Sequence, residues 1–178
     1  NINGMYQQSV SVIIPVYNDP DGVYKTLVSI INDSNKESLL EVIVVDNNST
    51  DETAKVINHF AEKYSWIQYE FEDEVQTSYA ARNTGIQYSH GDIIVFLDAN
   101  VEVGKGWLDS AISDMQSKDA HYMGCNVKVN DVNQKQTIFS RYNQHSAFPI
   151  KELIEKHGYT PTVCLFVTRD LVDDVGRF

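Results

Sequence analysis

A chain of 178 residues, 42% hydrophobic and 22% charged, has the size and make-up of one soluble globular domain whose core needs no disulfide or metal staple. Its formal charge of −11 excludes a binder of phosphate backbones, because that affinity rests on a basic surface. No run approaches the roughly 20 apolar residues of a membrane helix and no signal-peptide pattern opens the chain, so the sequence predicts a soluble, cytoplasmic protein. Residues 1–8 read as a polar lead-in, and 9–16 (S-V-S-V-I-I-P-V) as a first strand ended by Pro15, which cannot donate to a ladder. The turn formers at 17–22 follow. Val23, Leu27, Ile30 and Ile31 then make one apolar helical stripe, and 32–38 is a polar loop.

A second strand is expected at 40–45, ending on Asp46. Ser49 and Glu52 read as a capping box for a helix that buries Val56, Ile57, Phe60, Ala61 and Tyr64. Alternation at 66–71 predicts a third, edge-ward strand, in which Trp66 and Tyr69, like Tyr64 before them, read as packing residues. A charged loop leads to Thr77 and Ser78, either able to cap the helix through 82–88. Residues 93–97 (I-I-V-F-L) are β-branched and aromatic-rich, too short for a free-standing helix, and read as a strand buried on both faces. Asp98 and Asn100 come straight off its end, where open α/β sheets bind ligands.

A helix at 107–115 with Leu108, Ala111, Ile112 and Met115 inward is followed by a strand at 122–129 and an irregular stretch at 130–149. A helix at 150–157, a strand at 162–168 and a helix from 169 to 175 complete the chain. The alternation predicts a doubly wound α/β fold, a mixed sheet flanked by helices in an α/β/α sandwich, as one domain over 1–178. Cys125 and Cys164 sit in apolar runs; a disulfide is possible, with two buried thiols of a reduced protein the favoured reading.

Several chemistries are excluded by what the sequence lacks. There is no G-x-G-x-x-G after the first strand, no P-loop and no nucleophile elbow, and the five histidines lack metal-ligand spacing. What remains is a set of polar strand ends: Tyr17 to Asp19, Asp46, and Asp98 to Asn100.

The segments S-V-I-I-P-V-Y-N-D, V-I-V-V-D-N-N-S-T-D-E-T, S-Y-A-A-R-N-T-G-I and G-D-I-I-V-F-L-D-A-N, in this order and spacing, resemble the family-two glycosyltransferases of the GT-A fold. The resemblance implies transfer of a sugar, with inversion, from a nucleotide-sugar, a UDP-sugar first, to a glycan, lipid-linked or protein acceptor. It implies that Pro15, Val16, Tyr17 and Asp19 line the nucleotide pocket and that Asp46 accepts from a base N–H. Arg82 would lie near the nucleotide-sugar, together with Asp98 and Ala99. Asp98 and Asn100 take the D-x-D positions for Mn²⁺ or Mg²⁺, where the neutral Asn100 weakens the metal. The family's acidic base would lie beyond Phe178, so the chain is expected to be truncated on its acceptor side; Asp173 and Asp174 precede that position. The lipid-linked acceptors of many relatives leave membrane association open for a longer protein. The other reading is a non-catalytic nucleotide-sugar-binding domain. A nucleotidyltransferase is disfavoured because 16–22 carries no basic residue.

Overall fold

The computed structural model describes residues 8–33, 37–125 and 162–178. Six strands form one sheet: β1 (Val10–Val16), β2 (Leu39–Asp46), β3 (Ile67–Phe71), β4 (Ile93–Leu97), β5 (Tyr122–Gly124) and β6 (Cys164–Thr168). Their order is β3-β2-β1-β4-β6-β5. The first four run parallel, and β6 returns antiparallel against both β4 and β5. Among the described residues there are five helices: α1 (Pro20–Asn32), α2 (Thr53–Lys63), α3 (Ser78–Tyr88), α4 (Trp107–Lys118) and α5 (Arg169–Val175).

Near-continuous apolar strands need cover on both faces, and the pleat sorts them. Val12, Ile14, Val42, Val44, Val95 and Leu97 share one core with Leu27 of α1, Ile57 of α2, and Leu108 and Ile112 of α4. Their neighbours Ile13, Ile43, Val45, Ile94 and Phe96 share the other with Ala81 and Ile86 of α3 and Val172 of α5. The result is the expected α/β/α sandwich, with β4 at its expected bounds and β3 at the sheet edge.

Some local expectations are corrected. β1 does not end at Pro15 but pairs on through Val16 with β2. Its ladder to β4 stops at Ile13–Phe96, so the missing N–H of Pro15 falls where β4 no longer pairs. Ser49 does not cap α2. Its Oγ accepts from Asn18 N (2.9 Å), while Asp51 Oδ1 takes the N–H and hydroxyl of Thr53 (2.9 and 2.6 Å). Of the two candidates for α3, Thr77 is the cap, accepting from Ala80 N (3.1 Å). The strand at 122–129 is seen as far as Gly124. The rest of it, the 130–149 stretch and the helix expected at 150–157 lie outside the described residues.

Opposite the strand ends that carry the motifs, Glu41 closes the sheet's other end. It is buried, with Oε1 accepting from Ser11 Oγ and His90 N (2.7 Å each) and Oε2 from Gln68 Nε2 (2.8 Å). Burial works to raise its pKa, but the bonds from Ser11 and His90 and the nearby His90 ring outweigh it, so the carboxyl lies below its ordinary value. A lowered folded-state value means that the stabilisation is present above the unfolded-state value near 4.5 and is lost as pH falls through the folded value. Glu41→Gln sets an amide donor against donors, and we expect a loss of about 1–2 kcal/mol at neutral pH. Urea melts at pH 7 and pH 4 should show the gap between parent and variant narrowing in acid.

Beside it, Gly91 donates to Ser11 Oγ (2.8 Å), and a Cβ there would stand 2.6 Å from the backbone nitrogen of Ser11. Backbone cannot yield as a side-chain tip can. Gly91→Ala should therefore cost about 1–3 kcal/mol, read as a lower urea midpoint with unchanged slope.

Candidate functional site

The carboxyl ends of β1, β2 and β4 open into a cavity of about 500 Å³. Three asparagines turn the chain there. Asn18, Asn48 and Asn100 have φ of 47°, 63° and 67°, the left-handed region that asparagine tolerates better than most residues. The β1 and β2 loops are tied to each other. Besides the Ser49 bond, Asn18 Oδ1 accepts from Thr50 N (2.8 Å) and Thr53 Oγ1 from Asp19 N (3.0 Å). Asp19 itself caps α1, its Oδ1 accepting from Gly22 N (2.9 Å).

Pro15, Val16, Tyr17 and Asp19 from the β1 loop line one side of the cavity, and Asp98, Ala99 and Asn100 line another. Arg82 reaches it from α3. Only 5% exposed, Arg82 donates from Nη2 to Asp98 Oδ1 (2.8 Å) and lies 5.8 Å from the centre of the Phe178 ring. Its Nε is buried without a partner among the described residues. Burial pushes the Asp98 carboxyl above its ordinary value, even though the Arg82 charge and hydrogen bond pull the other way. Asp98 Oδ2 is left without a hydrogen bond among the described residues.

The next residue on α3 fixes a different segment. Asn83 donates from Nδ2 to the carbonyl of Phe178 and accepts its N–H at Oδ1, both at 2.9 Å. Phe178 in turn stacks on Tyr79 and meets Phe96 edge-on. Asp173 and Asp174 are exposed and do not line the cavity.

Asp46 is placed differently from expectation. It is fully buried, with Oδ1 accepting from Ser49 N (2.9 Å) and Oδ2 from Tyr69 OH (3.3 Å). Burial first, then the charge and acceptance of Asp46, raise the Tyr69 phenol above its ordinary value. Both Asp46 oxygens thus hold the loop rather than face the cavity. Asn47, one residue on, lines the cavity with Gln76, Thr77 and Ser78. Asn47 is 5% exposed, and its Oδ1 is buried with no hydrogen-bond partner among the described residues. An unpaired buried acceptor on a cavity wall is costly unless something in the cavity donates to it. The sequence reading missed Asn47 and Gln76; Asn47 stood one position from the acid that was chosen.

A polar cavity lies across the carboxyl ends of the parallel strands of an α/β sheet, with an acid at the tip of a central strand, at the switch point where such folds place their ligand sites. The model of glycosyl transferase family 2 matches residues 11–175, and the chain belongs to that family. The glycosyltransferase AglE of Haloferax volcanii is 40% identical over 169 residues, which are 95% of this chain and 55% of that protein. Two solved structures share the GT-A fold. One is the mannosyltransferase PcManGT of Pyrobaculum calidifontis in complex with GDP-Man and Mn²⁺ (TM-score 0.72, 23% identity, 98% of this chain and 48% of that one). The other is TarS 1–349 of S. aureus in complex with UDP-GlcNAc (TM-score 0.69, 22% identity, 94% and 47%). The chain spans about half the length of these relatives. Among the described residues no helix is long and apolar enough to cross a membrane.

Proposed function

We propose that this chain is the donor-binding part of an inverting glycosyltransferase that moves a sugar from a nucleoside-diphosphate sugar to a glycan, lipid-linked or protein acceptor. The observation that carries the reading is the buried Asn47 Oδ1, without a partner among the described residues, at one side of a cavity whose other side is the Asp98–Arg82 pair. A nucleobase offers a ring N–H to such an acceptor, and a diphosphate suits the opposite end. UDP is the first candidate nucleotide. Asn47 reads the base, Tyr17 and Asp19 flank the nucleoside, and Arg82 holds Asp98 toward the diphosphate. The N-terminal turn of α3, which brings Thr77 and Ser78 to the cavity, adds the positive end of a helix dipole in a chain of net charge −11.

A divalent cation fits this donor set in its chemistry, since Asp98 Oδ2 and the Asn100 amide oxygen are hard ligands, though with one charge between them. When bound, Mn²⁺ or Mg²⁺ would neutralise the charge developing on the leaving nucleoside diphosphate. With Arg82 already matching Asp98, the protein brings little net negative charge to hold a cation, so most of the affinity falls to the diphosphate. Among the described residues that line the cavity, the acids are Asp19 and Asp98; the first caps α1 and the second pairs Arg82. The base that takes the acceptor proton is therefore assigned outside the described residues.

Calorimetric titration with UDP, GDP and dTDP, each with and without Mn²⁺, tests the reading. One nucleotide should bind, with Mn²⁺ tightening it modestly. Asn100→Asp should widen the difference that Mn²⁺ makes by about tenfold, as a second carboxylate joins the site. Absence of binding for all three nucleotides would overturn the donor site. The neutral Asn100 favours a second reading, a domain that binds donor without turnover. Under it Asn100→Asp improves metal binding while no protein containing this chain transfers sugar.

A further inference from the structure

Outside the cavity's chemistry, the two cysteines stand directly across from one another. β5 and β6 pair with Gly124 opposite Leu165, and one step on Cys125 N donates to the Cys164 carbonyl (2.9 Å). Both thiols are free; Cys164 is buried and Cys125 half-buried. A hydrogen-bonded antiparallel pair keeps its Cα atoms about 5.5 Å apart, inside the roughly 4.4–6.8 Å that a disulfide spans. Cys164 also sits beside the site, since it pairs with Leu97, and Asp98 N donates to the carbonyl of Val163 (3.0 Å).

We propose that Cys125 and Cys164 form a redox-sensitive dithiol, oxidised by a small-molecule disulfide of the glutathione type to a cross-strand disulfide next to the donor site. The two sulfurs have different parts. Cys164 is buried between β4 and β5, out of reach of a solvent oxidant. Cys125, half-buried and therefore open to a bulky oxidant where Cys164 is not, is the attacking sulfur. Its thiolate attacks one sulfur of the oxidant, forming a mixed disulfide and expelling one glutathione thiolate. Cys164 passes its proton to that thiolate and attacks Cys125 Sγ, expelling the second glutathione. Two protein thiols are oxidised and one small disulfide is reduced to two thiols. The bond ties β5 to the end of β6 that carries the Val163 carbonyl.

The test is incubation of the chain with oxidised glutathione, followed by thiol titration and intact mass. The expected product has lost both thiols together, has a mass about 2 Da lower and returns to the dithiol with dithiothreitol. Cys164→Ser should stop at a glutathione adduct on Cys125, whereas Cys125→Ser should keep its buried thiol and take no adduct. Cys125→Ser alters a half-buried position, so it remains informative if the Cys164 variant fails to fold. Two thiols that persist in the parent, a stable glutathione adduct on it, or disulfide-linked dimers in place of the internal bond would each overturn the proposal.

Discussion

Arg82→Met should remove nucleotide binding and lower the unfolding free energy by about 3 kcal/mol, the low end of the range for breaking one side of a buried ion pair. Arg82 is 5% exposed and holds one oxygen of Asp98 at 2.8 Å. Methionine fills similar space but leaves the carboxylate without its cation. The Asp98 side chain is 37% exposed, so water recovers part of the loss and the full range does not apply. The ring of Phe178 also loses its cation, at a smaller cost. Denaturant melts and UDP titration should show both effects. Arg82→Met with parental stability and parental affinity would mean that the pair organises neither fold nor site. The control is Lys55→Met. Lys55 bonds Glu52 on an exposed helix surface, and its loss should be small.

Asn47→Leu should weaken nucleotide binding about a hundredfold while leaving stability unchanged or slightly raised. Opposite signs are expected because Asn47 Oδ1 is buried and has no hydrogen-bond partner among the described residues. A leucine removes that desolvation cost, yet it also removes the acceptor that a base N–H would meet, and a site built to hydrogen-bond its ligand discriminates strongly once the partner is lost. Asp46→Asn is the matched comparison. Asp46 accepts from Ser49 N and Tyr69 OH, so its change should act on stability first and on affinity only through the loop. If Asp46→Asn lost more affinity than Asn47→Leu at equal stability, the base would have to be assigned to Asp46.

That pair of residues also shows how far the sequence was legible. β4 was readable to the residue, because five apolar residues, four of them β-branched or aromatic, bounded by Gly91-Asp92 and Asp98 leave one strand register. The inward face of α4 was readable too, because Leu108, Ala111, Ile112 and Met115 follow the helical period. The site was legible as a set of strand ends but not to the side chain. β2 was expected to end on Asp46, and it does: Asp46 pairs opposite Val16 on one side and Phe71 on the other, so its face is set by the strand. Within the strand the pleat sends Asp46 to the same face as Val42 and Val44, against Tyr69, and Asn47 is the first residue released from it. One residue in the strand's end decides which polar group meets the cavity. The cap of α2 was misread for a related reason. Ser49 has the right spacing for a capping box, but the β1 loop claims its hydroxyl, and no local pattern reports a partner 31 residues away in sequence. Gln76 lay in a loop whose composition gave no signal.

The left-handed turn at Asn100 has a consequence for how such a site could change over time. Its backbone angle suits glycine, asparagine and aspartate more readily than other residues. Exchange between the amide and the acid therefore asks nothing of the loop's conformation, and the codons of the two differ by one base. The shape of the loop and the charge at its tip are separate settings, so a lineage could drift between weak and strong cation binding without passing through a misfolded intermediate.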